Sequence, residues 1–225
     1  MLAGLRILND NLEATKQAIL MKCLDSVPST TVPLAELVDF IDGDRGSNYP
    51  TFDEFLSKGC CLFLNASNVT VNGFNFDSCQ FITEEKDKLL NKGHLSLFDI
   101  ILTSRGTLGN VALYDEHVPF ENMRINSGML IIRPKGGRLS PYLLYALLQS
   151  KYMKDAIEQF RSGSAQPQLP IKDLQKVTFS MPASDDIIHK LDEELRKIED
   201  QISINRAEID KLKGTSDILL TTLSR

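Results

Sequence analysis

The segment from Asp185 to Arg225 constrains this chain most, because it has the spacing of a coiled-coil helix that needs a partner. Its apolar residues recur at alternating steps of four and three, which lays one narrow seam along a helix and leaves charged residues on the other faces. Asn205 stands inside this seam, where a buried Asn costs stability but disfavours wrong registers. The seam is predicted to be an interface with another helix or another chain, and it comprises Leu191, Leu195, Ile198, Ile202, Asn205, Ile209 and Leu212.

The N-terminal segment, residues 1–25, is predicted to be a second amphipathic helix with leucines at comparable spacing. Aligning it with residues 201–225 matches several residues and puts Asn9 on its seam, as a polar counterpart of Asn205. The matches are few, and any two amphipathic helices share some of them. We expect the two terminal helices to pair antiparallel, within one chain or between chains. The alternative is two unrelated surface helices.

The composition limits the class of protein. At 225 residues the chain has room for a domain of about 150 residues with an appendage. It has no run of about 18 apolar residues, and the polar residues among its first leucines disfavour a signal peptide. We therefore expect a cytoplasmic protein with no membrane partner. The cysteines lack metal-ligand spacing and are predicted to be reduced thiols: Cys23, Cys60, Cys61 and Cys79.

The charge distribution neither indicates nor excludes a nucleic-acid partner. The net charge of −5 mildly disfavours one, because phosphates attract basic surfaces. Between Arg105 and Lys176, however, ten Lys and Arg residues outnumber six Asp and Glu residues. An excess this small is usual for a solvated surface.

Between the terminal helices, residues 26–183 are predicted to form an α/β (α+β) domain, with residues 26–30 as a linker. The long C-terminal helix then occupies residues 184–225. Asn72-Gly73 is typical of a hairpin turn, and Ser140-Pro141 of a helix start. A second helix is predicted over 151–159. The predicted strands are Cys61–Leu64, Phe98–Thr103, Val111–Tyr114, Gly128–Pro134 and Val177–Met181.

The sequence contains little that indicates catalysis. It has no Walker loop, and Gly106-Thr107-Leu108-Gly109 lacks the dinucleotide-binding spacing. Asp39, Asp42 and Asp44 could bind a cation, but the ligand spacing of a calcium loop is incomplete, which favours a solvated turn. We expect no catalytic residue, no metal site and no cofactor. Packing in the core is predicted, in preference to base stacking, for Phe52, Phe55, Phe63, Phe74, Phe76 and Phe81.

Several strings of this sequence resemble a known family in order and spacing. They are FDIILTSRGTLGNVALYDE (98–116), INSGMLIIRP (125–134), SPYLLYALLQS (140–150) and SGSAQPQLPIKDLQKVTFSMP (162–182). They are similar to the DNA-specificity (S) subunits of type I restriction–modification systems. LDEELRKIEDQISINRAEIDKL (191–212) resembles the spacer helix of that family, and ILNDNLEATKQAIL (7–20) the end of a preceding spacer.

The resemblance implies a non-catalytic, sequence-specific subunit that directs an adenine methyltransferase and restriction complex to a bipartite DNA site. It implies four partners: double-stranded DNA, DNA adenine methyltransferase (modification) subunits, restriction/translocase subunits, and a second copy or another half-subunit. S-adenosylmethionine and ATP would bind only to the partner subunits. Members of the family carry two target-recognition domains and this chain has one, so it resembles a half-subunit. Two identical halves would recognise an interrupted palindrome.

Three groups of residues are candidates for contacting DNA. Glycine-rich loops let the backbone approach phosphate and free side chains to reach base edges. In the loop 42–50, Arg45 could bind guanine, Asn48 adenine, and Tyr49 a phosphate, with Ser47 beside them. The alternative is a polar surface turn.

The second group is Ser104, Arg105 and Thr107, at the end of an apolar strand. The resemblance favours Arg105, which could instead pair with an acid and brace the loop. The third group is Arg161, Gln166 and Lys172, which we expect to support the fold or contact the DNA backbone. No specific base can be assigned to any of them.

The main rival hypothesis is a coiled-coil adaptor or scaffold whose α/β domain binds protein. Such a protein would lack salt-dependent affinity for DNA, since only phosphate contacts weaken steeply as salt rises. A recognition fragment of a fused methyltransferase–nuclease is a further alternative, which would require catalytic motifs upstream.

Overall fold

A computed structural model describes residues 1–137, 139–161 and 167–223, with side chains as far as residue 215. The chain divides into two compact units. We call residues 1–29 with 182–225 the helical unit, and residues 30–181 the α/β unit. The mixed α/β domain with a helix at either end of the sequence confirms the predicted fold class.

The secondary structure of the described residues is as follows. The helices are α1 (Leu2–Ser26), α2 (Leu34–Leu37), α3 (Glu84–Leu89), α4 (Pro141–Gln149), α5 (Lys151–Phe160), α6 (Ile171–Leu174) and α7 (Asp185–Leu223). The strands are β1 (Ser29–Pro33), β2 (Val38–Asp42), β3 (Cys61–Leu64), β4 (Val69–Thr70), β5 (Gly73–Phe74), β6 (Phe81–Ile82), β7 (Ile100–Thr103), β8 (Val111–Leu113), β9 (Met123–Ile125), β10 (Met129–Pro134) and β11 (Thr178–Pro182). Two 3₁₀ turns cover Phe52–Glu54 and Ala66–Asn68.

In the helical unit, α1 and α7 pack along each other in opposite directions. Asn205 Nδ2 donates to Asn9 Oδ1 at 2.7 Å. Further along α1, Lys16 contacts Glu199, which comes earlier in α7 than Asn205, so the two helices are antiparallel. The predicted antiparallel pairing is therefore confirmed, and it occurs within one chain. The seam residues Leu191, Leu195, Ile202, Asn205 and Ile209 are buried, and Ile198 and Leu212 are half-buried. Their part in an interface with a second chain stays a prediction.

Replacing Asn205 by Leu is expected to stabilise the helix pair only when Asn9 is replaced as well. The single change leaves Asn9 Oδ1 without its donor, and an unsatisfied oxygen in the seam costs up to about 3 kcal/mol, which offsets the burial of Leu. The double Asn9→Leu/Asn205→Leu variant should unfold at higher urea than either single variant and lose control of register. A single variant more stable than the double one would contradict this account.

The α/β unit is built on a four-stranded antiparallel sheet in the order β2-β10-β7-β8. Strands β7 and β8 and the first four residues of β10 are buried, whereas β2 is buried only at Val38. Helix α4 is buried from Tyr142 to Leu148. A second sheet has the order β6-β3-β9, with β3 and β9 parallel. Two further strand pairs join β1 to β11 and β4 to β5. The apolar residues between the sheets include Leu62, Leu64, Ile101, Met123 and Ile131.

The hairpin turn and the helix start that the local sequence predicts are both confirmed. Thr70 pairs with Gly73 in the predicted hairpin, where Gly73 has a φ of +88° that favours glycine. The Ser140 side chain accepts from Leu143 N–H at 3.1 Å and caps α4, with Pro141 as its first residue.

Two predictions about local structure were wrong. Residues 29 and 30 of the predicted linker belong to β1, because pairing with β11 supplies hydrogen bonds that the local sequence does not reveal. Phe52 is 85% exposed and does not join the core. A capping box between Thr51 and Glu54 fixes its 3₁₀ turn and leaves the ring on the outside. The other five phenylalanines in that prediction are buried or half-buried.

The described residues hold no group of three or more His, Cys, Asp or Glu side chains placed to bind a metal ion. All four cysteines are free thiols. Among the described helices, none combines the length and the apolar character that crossing a bilayer requires.

Candidate nucleic-acid interface

Three loops leave the four-stranded sheet at the same end. At this end β2 stops at Asp42 and β7 at Thr103, while β8 and β10 begin. The register places Leu130 opposite Asp42, Met129 opposite Thr103, and Leu102 opposite Val111. The loops 43–50, 104–110 and 126–128 therefore emerge side by side, and we call them the loop cluster. It brings together two of the three predicted groups, which lie about sixty residues apart in the sequence.

The turn 126–128 joins the other two loops. The N–H groups of Ser104 and Arg105 both donate to Gly128 O, at 2.9 and 3.1 Å. On the other side, Arg45 Nη2 lies 3.3 Å from Ser127 O. The Asn126 side chain closes the turn by accepting from Gly128 N–H at 2.8 Å. Sequence reasoning missed this turn as part of a site, although Asn-Ser-Gly between two apolar segments is a turn signal.

In the loop 43–50 the four predicted residues have different surroundings. Arg45 and Ser47 are exposed, and Arg45 also pairs with Asp42 at 3.0 Å. Asn48 is exposed, but its amide donates to Leu89 O at 3.2 Å and so braces the loop. The Tyr49 ring is half-buried and packs edge-on against Phe63. Arg45 and Ser47 are thus the more available of the four.

A buried carboxylate shapes the start of this loop. Asp44 is 8% exposed and accepts from the N–H of Gly46 at 2.9 Å and of Asn91 at 2.8 Å. The pKa of Asp44 is lowered from its ordinary value, chiefly by the Gly46 N–H and next by that of Asn91, because both stabilise the ionised form. Asp44 therefore stays charged at neutral pH and acts within the fold.

The loop 104–110 presents one cation. Ser104 is buried, and its backbone carbonyl accepts from Leu169 N–H at 3.0 Å. Arg105 is half-buried, and its guanidinium has no ion pair or hydrogen bond to another described residue. Within the described residues, the alternative that Arg105 braces the loop through an acid therefore finds no support. Thr107 is exposed, and its carbonyl accepts from the Thr103 hydroxyl, which tightens the loop.

The third predicted group is less closely connected to the loop cluster. Arg161 is exposed at the end of α5 and pairs with Glu158 at 3.2 Å, and Lys172 is exposed on α6. Gln166 lies outside the described residues. Helix α5 itself lies against the cluster, since Ile157 Cδ1 would be 3.0 Å from a Cβ at Gly109. Arg161 and Lys172 thus stay predictions with no described contact to the cluster.

The sequence also matches a defined protein family. Residues 27–213 match the family described as the type I restriction modification DNA specificity domain, and this match spans most of the chain. The chain belongs to that family. The description of this family concerns DNA specificity in type I restriction modification. No curated protein sequence matches this specificity domain.

Solved structures show the same fold as this specificity domain. The S subunit of a type I restriction-modification system from M. genitalium is similar with a TM-score of 0.67 at 19% identity, covering 97% of this chain and 55% of that subunit. The HsdS subunit from Thermoanaerobacter tengcongensis is similar with a TM-score of 0.55 at 16% identity, over 93% of this chain and 51% of its own. A third structure concerns complex assembly and conformational transition of the type I R-M system. A chain in it is similar with a TM-score of 0.55 at 15% identity, covering 98% of this chain and 54% of that chain. This chain thus spans about half the length of each.

Both carboxylates of the loop cluster are bound within the fold, while one of its arginines has no acidic partner among the described residues. The carboxylate of Asp42 is paired with Arg45, and that of Asp44 is buried and bound by backbone N–H groups. Arg105 has no acidic partner among the described residues, so its charge is available at the surface.

Proposed function

We propose that this chain is a specificity subunit that directs an adenine methyltransferase and restriction complex to a bipartite DNA site. The observation that supports this most is the meeting of the Arg45 and Arg105 loops at one end of the sheet, joined through the turn 126–128. Arginines on adjoining loops suit bidentate contacts to guanine or to phosphate. The chain belongs to the specificity-domain family, which supports DNA as the ligand of these loops.

We further propose that this chain is a half-subunit and that two halves act together. The S subunit from M. genitalium and the HsdS subunit from Thermoanaerobacter tengcongensis are each about twice as long as this chain, so the chain corresponds to about half of either. A second copy would complete the assembly and require an interrupted palindrome, whereas a different half would require an asymmetric bipartite site. The helical unit would hold the halves together and dock the modification subunits. S-adenosylmethionine and ATP would belong to the partner subunits.

Mapping of adenine methylation in cells tests this proposal. The cells would express this chain with its cognate modification subunit and no other specificity protein. A bipartite palindromic motif is the expected result, and it would also give the target sequence. Absence of methylation, with both proteins soluble and associated, would indicate that a different second half is required. Failure of the two proteins to associate would overturn the proposal and favour the adaptor.

Arg105→Ala is expected to weaken DNA binding and reduce its dependence on salt. Loss of one phosphate contact should lower the slope of log affinity against log salt by roughly 0.9. Loss of a base contact would instead weaken binding to the target duplex by about 1–3 kcal/mol and leave binding to the mixed-sequence duplex unchanged. Titration of mixed-sequence and target duplexes at several salt concentrations separates the two. Lys135→Ala is the matched control, because Lys135 follows β10 at the opposite end of the sheet. Equal behaviour of the two variants would exclude Arg105 from the interface.

A further inference from the structure

We propose that the loop 91–93 is a further DNA-binding segment, in which Lys92 contacts a phosphate and Asp44 holds the loop in position. This inference rests on the proposed function and extends it to residues outside the loop cluster. Asn91-Lys92-Gly93 carries no recognisable motif. The position of this loop follows from contacts between segments that are distant in the chain.

The loop 91–93 lies directly against the start of the loop 43–50. The two oxygens of one carboxylate join them, since Asp44 Oδ1 accepts from Gly46 N–H and Oδ2 from Asn91 N–H. The backbones are also close, because a Cβ at Gly93 would lie 3.2 Å from the Cα of Gly43. Gly93 has a φ of +80°, which favours glycine, and its carbonyl accepts from Ile125 N–H at 2.9 Å. The loop is therefore fixed on both sides.

Lys92 is the cation that this arrangement presents to solvent. Its side chain is exposed and has no ion pair or hydrogen bond to another described residue. The nearby carboxylates of Asp42 and Asp44 are already bound by Arg45 and by backbone N–H groups. A free ammonium group beside a surface that binds DNA suits a phosphate, which it recognises without regard to sequence.

Asp44 is a positioning residue, because its buried carboxylate cannot itself reach DNA. It determines where Lys92 lies relative to Arg45. An Asn at this position has the same shape but only one acceptor oxygen, and its NH₂ group would face a backbone donor. Asp44→Asn should therefore release either the Gly46 turn or the loop 91–93.

Salt-dependent binding of a mixed-sequence DNA duplex tests the role of Lys92. Lys92→Gln should lower the slope of log affinity against log salt by roughly 0.9, so the affinity lost between roughly 50 and 200 mM salt is about threefold smaller than for wild type. Lys58→Gln is the matched control. Lys58 is an exposed lysine that comes before the start of β3 at Cys61. The turn 126–128 of the loop cluster lies at the other end of β3, where Asn126 N–H donates to Leu64 O. Equal slopes for the two variants would overturn the assignment of Lys92.

Amide hydrogen exchange of the full chain tests the role of Asp44. Asp44→Asn should accelerate exchange at Gly46 or Asn91 and reduce the preference for the methylation-mapped target over mixed-sequence DNA. A purely structural role would lower the melting temperature and leave that preference unchanged, which would overturn the positioning role. If wild-type protein shows no salt-dependent binding at all, the proposed function fails. If wild type binds and Lys92→Gln matches Lys58→Gln, only this inference fails.

Discussion

Gly43→Ala is expected to weaken sequence-specific DNA binding by about tenfold or more while leaving the α/β unit folded. A Cβ at position 43 would lie 2.2 Å from Asn126 O and 2.6 Å from Asn126 C. Both are backbone atoms of the turn that joins the loop cluster, so neither can rotate away as a side chain could. Relief of the clash requires the loop 43–50 to separate from the turn 126–128, and overpacking of this kind costs about 1–3 kcal/mol or more.

Gly46→Ala is the matched control for this substitution. A Cβ there would lie 3.4 Å from Asp44 Oδ1, which is ordinary van der Waals contact. Binding of the mapped target would be measured for both variants, together with near-ultraviolet circular dichroism to establish that the α/β unit stays folded. We expect loss of at least tenfold in affinity for Gly43→Ala, about 1.4 kcal/mol, and little change for Gly46→Ala. Folded Gly43→Ala protein with full affinity would show that the two loops do not act together.

The strands that the sequence predicted best are those with continuous apolar runs. The structure has strands within the runs Phe98–Thr103 and Gly128–Pro134, because both are buried on two faces and need no alternation. Strand β9 was missed, since it has three residues and contains Arg124. That arginine is buried in the fold beside Asp87, which supplies its ion pair from 37 residues away. Such pairing cannot be deduced from the residues around Arg124.

The candidate site was predictable in its parts but not in its assembly. Glycines and donors drew attention to Arg45 and to Arg105 separately, and both lie in the loop cluster. Their meeting depends on the register of β2 and β7 with β10, which is set by packing between distant segments. Local patterns also overestimated the availability of Asn48 and Tyr49. The fold uses the first to bind Leu89 O and the second to cover Phe63.

The helical unit contains a buried ionic network that the heptad pattern did not indicate. Lys16 is 1% exposed, and its ammonium lies 2.5 Å from Glu199 and 2.8 Å from Glu13. Arg206 contacts both glutamates at 3.2 Å, so two cations and two anions alternate between α1 and α7. Glu199 is itself only 2% exposed. We expect this network to disfavour other registers of the two helices, because a shifted register would bury charges without partners.

Lys16→Met is expected to destabilise the helix pair by about 3 kcal/mol, the lower end of the range for breaking a buried ion pair. The value is at the lower end because Arg206 still contacts Glu199 at 3.2 Å. The double variant Lys16→Met/Glu199→Leu should recover that loss or exceed wild type by about 1–4 kcal/mol, since it removes both buried charges. Urea unfolding of wild type, Lys16→Met, Glu199→Leu and the double variant gives the coupling energy of the pair. A Lys16→Met variant within about 0.5 kcal/mol of wild type would contradict a structural role for the pair. A double variant that is stable but associates in mixed oligomeric states would show that the charges select the pairing at the expense of stability.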